Sequence, residues 1–258
     1  MERFCSFARF HYTGGLQAHA SGKSTTGIFT GSSDVLQGRG RQRDNGVTDA
    51  MQNEAFWLEG QHVRLEPLTE GHVEGLVAAA AVDPSLYGRT TVPQGRAGME
   101  QYVATALAAQ AAGTAVPFAT VRRGDGTVIG ATRFFDVERW PWPAGHAEHG
   151  RAGPDVCEIG YTWLTRDAIR TAANTEAKLL MLRHAFETWK VHRVVLHTDE
   201  RNARSRAAIE RIGGKPEGIL RAYRLASDFT PRMSARYSIL LAEWPEVRGR
   251  LQARLEQG

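Results

Sequence analysis

The sequence has only two cysteines in 258 residues, Cys5 and Cys157, too few for a disulfide framework. No stretch of about 18 apolar residues occurs, so the sequence predicts no membrane-spanning helix and no membrane partner. The opening residues, MERFCSFARFHYTGG, interleave charge with apolar side chains and lack the apolar centre of a secretory signal. A cytoplasmic setting is the simplest expectation. No run of five or six basic residues, zinc-finger spacing or RNP-type aromatic motif is present, and no nucleic-acid partner is expected. His146, His149 and Cys157 fit no common zinc set and share no helix, so no metal is expected either. What remains is ordinary for a soluble globular chain: 42% hydrophobic, 23% charged, and a net charge of +4 that suits an anionic partner.

Residues 1–53 are rich in Gly, Ser, Gln and Thr and follow neither the helical nor the strand period. They are expected to be a disordered extension, with Met51 as an alternative start. The segment ASGKSTTG within them resembles a phosphate loop, but the motif requires glycine at position 17, which is Gln. A flexible polar tail is the simpler reading.

From Glu54 onward the pattern tightens into one domain, 54–258. HVRLEPL (62–68) alternates as a strand, and Thr69 caps a helix through Ala81 with His72, Leu76 and Ala80 on one stripe. A second helix over 97–112 spaces Met99, Tyr102, Val103 and Leu107 helically. VPFATVRR and TVIGATRFFDV flank Gly124-Asp125-Gly126 as a hairpin. A loop over 138–155 leads to the strand CEIGYTWL (157–164), then to an amphipathic helix with Leu179, Leu182, Phe186 and Trp189 in step. HRVVLHT is a short strand, and Asn202 caps a helix closed by Gly213-Gly214. GILRAYRL and ARYSILLAEW form a last antiparallel pair. The order β-α-α-β-β-β-α-β-α-β-β predicts a single α/β domain whose sheet is mostly antiparallel.

At this point EIGYTWLTRDAIRTAANTEAKLLMLRHAFE, HTDERNARSRAAIERIGGKPEGILR and YSILLAEW resemble the general-control-related N-acetyltransferases, the GNAT superfamily. The resemblance runs over about 55–245 and is greatest to the branch of ribosomal-protein N-terminal alanine and serine acetyltransferases (RimJ/RimL-like). It implies an α/β GNAT fold: a single mostly antiparallel mixed sheet, splayed at its centre between the fourth and fifth strands and flanked by helices. Acetyl-CoA would lie in that gap as co-substrate, and a primary amine would be the acceptor, on a protein N-terminus or a small molecule. Closing strands in this family often pair between subunits, which makes a homodimer compatible with the resemblance.

The implied cofactor contacts fall on Leu164, Arg170, Thr171, Ala172, Ala173, Asn174, Thr175, Asn202 and Ser205. Physical reasoning supports the first group, because exposed N–H groups and the dipole at a helix start favour a pyrophosphate. The family's loop reads Gln/Arg-x-x-Gly-x-Gly/Ala, and this chain departs from it. Aligning NTEA with the usual ATEA puts Ile169 at the basic position, Ala172 at the first glycine and Asn174 at the second; a one-residue shift restores Arg170. An ordinary helix start is the competing reading. Glu158 matches a position where several members carry a general base, and alternation groups it with the small Gly160 and Thr162. An edge glutamate paired with an arginine is the equal alternative. Asn202 and Ser205 match the branch's Asn-x-x-Ser, the first on the pantetheine arm, the second near the thioester sulfur. Many relatives protonate the thiolate with a tyrosine one turn on. Here that position is Ile209, which leaves Ser205 as the substitute acid and Tyr237 as a distant second. Trp140 and Trp142 either line the acceptor entrance or anchor their loop as buried rings. Together these residues describe an acetyl-CoA-dependent N-acetyltransferase, the alternative being a non-catalytic acyl-CoA-binding regulatory module.

Overall fold

Gly126 adopts φ +72°, a backbone that costs glycine little, and its N–H reaches Arg122 O at 3.0 Å. That turn joins β3 (Ala115–Arg122) to β4 (Val128–Glu138) as the hairpin the sequence predicts. The computed structural model describes residues 56–257, so the expected extension and its Gly-Lys motif lie outside the described residues. On one side of the hairpin, β2 (Val63–Pro67) pairs with β3, and a two-residue β1 (Leu58–Glu59) pairs with β2. On the other side β4 pairs with β5 (Val156–Leu164). Then come β6 (Arg193–Asp199), β8 (Pro231–Leu240) and, at the edge, β7 (Lys215–Leu225). All the pairs are antiparallel except β5 with β6.

Two apolar layers cover the sheet. Helices α1 (Val73–Ala81) and α2 (Gly95–Ala111) bury Leu76, Met99, Val103 and Ala106 against Val121, Ala131 and Trp163. On the opposite face, α3 (Ala172–Arg183), its π-helical extension His184–Thr188 and α5 (Trp244–Glu256) pack Leu182, Phe186 and Leu251 against Phe118, Phe134 and Cys157. The short α4 (Ala203–Arg211) lies beside β6. It ends as its Gly-Gly predicts: Gly214 N–H donates to Ile209 O and Gly213 N–H to Glu210 O, both at 3.0 Å, with Gly213 at φ +105°.

Three expectations need correction. The final strand stops at Leu240, and Trp244 opens a helix instead of closing a strand. Pro245 explains this, because it has no N–H for a ladder yet fits a helix's first turn. Second, α3 is not amphipathic in its middle turns: Glu176 through Leu182 are all buried. Glu176 compensates by accepting from the N–H groups of Gln61, His62 and Val63, each at 2.7 Å, which ties α3 to the turn before β2. Third, Glu158 and Thr162 do not share a face. A bulge sets Gly160 opposite Arg133 but Trp163 opposite Ala131, with Tyr161 at φ +51°, and the extra residue inverts the alternation.

Candidate functional site

β5 and β6 pair only through Val156–Arg193, Cys157–Val194 and Glu158–Val195, although both strands run on. Past Glu158 they diverge, and a cavity of about 660 Å³ opens between them. This is the central splay that the sequence predicts; with the short β1 counted, it falls between the fifth and sixth strands. Leu164, Arg170, Asn174, Asn202 and Ser205 line it, together with Glu158. Thr171, Ala172 and Ala173 instead border a smaller cavity beside Gln61 and Arg122, and Thr175 borders neither.

At the rim of the cleft, Arg170 and Asn174 flank the start of α3. Thr171 caps α3, its hydroxyl accepting from Ala173 N–H at 3.2 Å and donating to Ala168 O at 2.8 Å. Arg170 is held at φ +65°, a left-handed backbone that is uncommon for arginine. The left-handed residue is therefore Arg170, and Asn174 sits within the first helical turn. Arg89, Arg170 and Arg211, which all line the cleft, form no ion pair among the described residues, and Arg170 is the one next to this helix start. Uncompensated cations beside a helix N-terminus favour a bound polyanion.

On the cleft's far wall, Asn202 is the N-cap of α4, its Oδ1 accepting from Ser205 N–H at 3.0 Å. Both the capping and the cleft-lining positions of Asn202 are realised at once. Tyr237 is fully buried, accepting from Arg206 Nε and donating to Glu210 Oε1, both at 3.0 Å, and does not line the cleft. Ile209 is buried and has no proton to give.

The apex is a charged cluster. Glu158, 3% exposed, accepts from Arg224 Nη2 at 2.9 Å and Nη1 at 3.3 Å, and His197 Nδ1 stands 3.0 Å from its Oε2. Arg224 also donates to Asp136 Oδ2 at 2.6 Å. Burial first, and Glu158 second, push the Asp136 carboxyl up from its ordinary value despite Arg224. Burial pulls the Arg232 guanidinium down, with Arg224 adding to the effect. Arg224, His197, Asp136 and Arg232 were missed by sequence reasoning, since GILRAYRL shows only a hairpin period. The bulge in β7, with Ala222 at φ +48°, is what turns Arg224 to the apex.

Below the cleft floor, Lys178 Nζ donates to Thr162 Oγ1 at 2.6 Å and Thr132 Oγ1 at 3.0 Å, with no carboxylate partner among the described residues. Burial pulls its ammonium down to about 7. Cys157 is fully buried on the opposite face from Glu158, and burial pushes its thiol up. Trp140 and Trp142 do not line the cleft, nor are they buried rings: Trp140 is 43% exposed and stacks on His192 at 5.4 Å. Asp155 organises that loop, accepting from Trp140 N–H at 2.6 Å and Trp142 Nε1 at 2.8 Å.

Comparison with known proteins agrees with this geometry. The acetyltransferase (GNAT) domain family matches residues 62–215. A GCN5-related N-acetyltransferase from Brucella melitensis is 29% identical, with a TM-score of 0.67 over 79% of this chain and 87% of its own. A protein from T. thermophilus assigned as an acetyltransferase is 34% identical, with a TM-score of 0.62 over 78% and 99%. Mycobacterium smegmatis RimJ, solved in complex with CoA-disulfide, shares the fold at 20% identity and a TM-score of 0.61 over 74% and 88%. No curated protein matches. Among the described residues no helix is long and apolar enough to cross a membrane.

Proposed function

The chain belongs to the GNAT acetyltransferases, and from that premise we propose that it transfers the acetyl group of acetyl-CoA to a primary amine within a ternary complex. The observation that carries this reading is the splay past Glu158. One end of that cleft has a capped helix start and Arg170, which forms no ion pair among the described residues, and the other has the buried Glu158 carboxylate bound by Arg224. A phosphate-bearing thioester fits the first end, and an amine fits the second. The CoA compound in the M. smegmatis RimJ complex is consistent with such an occupant.

Direct transfer needs a neutral amine, a stabilised oxyanion and a proton for the departing thiolate. An α-amino group costs only about 1 kcal/mol to deprotonate at pH 7, whereas a lysine costs about 4.6. A protein N-terminus or a weakly basic small amine is therefore the acceptor class that asks least of the site. At the bulge, Tyr161 and Thr162 drop out of the ladder with β4, which frees backbone N–H groups beside the cleft. Ser205, on the cleft wall behind its Asn202 cap, is the proton donor to sulfur. Glu158 anchors the handling of the amine proton. A ping-pong route through Cys157 is disfavoured by its burial, since a buried thiol held above its ordinary range supplies little thiolate.

The experiment is a mass-spectrometric acceptor screen with acetyl-CoA, covering peptides with free N-termini, polyamines and aminoglycosides, with CoA thiol release followed in parallel. Acetylated amine in step with thiol release is expected. Tight acetyl-CoA binding without any acetylated product would instead make the chain a regulatory acyl-CoA-binding module.

A further inference from the structure

Glu158 is poorly placed to take a proton from an amine itself. Arg224 occupies both of its oxygens, at 2.9 and 3.3 Å, so each already accepts a hydrogen bond from the guanidinium. Next to it stands His197, whose side chain is 2% exposed and lines the cleft. Its Nδ1 is 3.0 Å from Glu158 Oε2, off the line of a good hydrogen bond, and neither ring nitrogen has a hydrogen-bond partner among the described residues. A buried, unpartnered imidazole costs about 1–3 kcal/mol. Such a cost at the apex of the cleft points to a partner that arrives with the substrate.

We propose that His197 is the general base of the transfer and that Glu158 is its positioning residue. This rests on the acetyltransferase reading and assigns the proton acceptor within it. The geometry has the form of a base oriented by a carboxylate: Glu158 holds the proton on Nδ1 and leaves the Nε2 lone pair for the amine. Tightening of such pairs on substrate binding is their normal behaviour. As the amine nitrogen bonds to the thioester carbonyl carbon, its proton passes to Nε2. When the C–S bond breaks, its electron pair goes to sulfur, and the thiolate takes a proton through Ser205. The imidazolium then returns its proton to solvent, so the balance is one amine proton lost and one thiol proton gained.

The charged surroundings fit the role. From β4 and β5 the ring meets Asp136 and Glu158, and from β7 it meets Arg224 and the Tyr223 ring at 5.0 Å. Arg236, its register partner on β8, is engaged by Glu217. Arg232, also on β8, lines the same cleft. Glu158 lies beside the ring as its carboxylate neighbour, and Arg224 fixes that carboxylate in place.

The test combines a tautomer measurement with pH–rate profiles. Nitrogen NMR of the free full-length protein should find neutral His197 protonated on Nδ1; a ring protonated on Nε2 has no lone pair for the amine and overturns the proposal. For kinetics, the probes are acetyl-CoA and a peptide with an N-terminal alanine, extended to the other amines of the screen. His197→Gln should lower kcat/KM by about 100-fold or more and reduce the acidic limb of the profile to the titration of the amine alone. Glu158→Gln should lose less and keep the limb, because the base is still present and only its positioning is lost. Should His197→Gln fold poorly, partial rescue of His197→Gly by added imidazole supports the base role, and a folded His197→Gly that imidazole leaves inactive counts against it. A limb that is unchanged in His197→Gln but falls to the titration of the amine alone in Glu158→Gln returns the base role to the carboxylate. Wild-type protein that binds acetyl-CoA but acetylates no amine overturns the acetyltransferase reading, and the base with it.

Discussion

The two ends of the β5–β6 pair make opposite use of similar residues. At the closed end, where Val156 faces Arg193, Asp155 gathers the Trp140 N–H, the Trp142 indole and Arg151, the last at 3.3 Å, and its carbonyl accepts from His192 N–H at 2.8 Å. At the open end, three residues further along the chain, the carboxylate of Glu158 is also buried and arginine-bound, but the histidine beside it has no hydrogen-bond partner among the described residues and the strands separate. A buried polar group that is satisfied holds structure; one left unsatisfied beside a cavity is waiting for a ligand. The difference separates the residues that hold the sheet from those that use its gap.

The largest effect should come from breaking the closed end. Asp155→Ala leaves an indole and a backbone N–H without their acceptor, while Arg151 keeps Glu148 and the Trp189 and Lys190 carbonyls, and should cost about 3 kcal/mol of stability. For a domain of this size that is a fall of about 6–12 °C in melting temperature. Acetyl-CoA affinity of the folded fraction, measured by calorimetry, should not change.

Much of this division could not be read from the sequence. Strand and helix positions were legible because each rests on local signals: Gly124-Asp125-Gly126 for the hairpin, Asn202 for the α4 cap, Gly213-Gly214 for its end. The departure of α5 from the strand period was signalled by Pro245, whose meaning was overridden by the apolar run before it. Glu176 and Lys178 look like the solvent face of a helix, and only the packing of α3 beneath β2 and β4 buries them. The cleft wall was legible at Leu164, Arg170, Asn174, Asn202 and Ser205, where family spacing and capping chemistry coincide. The apex was not. It joins β4, β5, β6 and β7 across long sequence separations, and two bulges, at Tyr161 and Ala222, set which side chains face it.

A second, intermediate effect concerns Lys178, which sits under the open end with two hydroxyls for company. Its folded value of about 7 lies below the ordinary 10.5, so between those values the unfolded chain binds more protons than the folded one. Stability should therefore rise with pH across that window. Lys178→Met should stabilise the protein by about 2 kcal/mol below pH 7, where a buried charge is removed. That advantage should shrink as pH climbs from 7 toward 9. Melting curves at several pH values check this, and a gap that stays flat would mean that Lys178 is not titrating in the fold.

The smallest effect sharpens the comparison most. Asn174→Asp puts a negative charge in the first turn of α3, where the dipole welcomes it, so melting temperature should hold or rise slightly. The same charge faces the cleft and should weaken acetyl-CoA binding by about 3–10-fold. Ala173, one residue earlier, is buried in the core, and a charge there would disturb packing instead.

The central claim is that acetyl-CoA lies in the gap where β5 and β6 part. Backbone amide hydrogen exchange, with and without acetyl-CoA, tests it most directly. Residues 159–164, 196–199 and 170–174 should gain protection on addition of acetyl-CoA, while 156–158 and 193–195 at the closed end stay unchanged. Protection that appears elsewhere, with those open-end segments unaffected, would contradict the account.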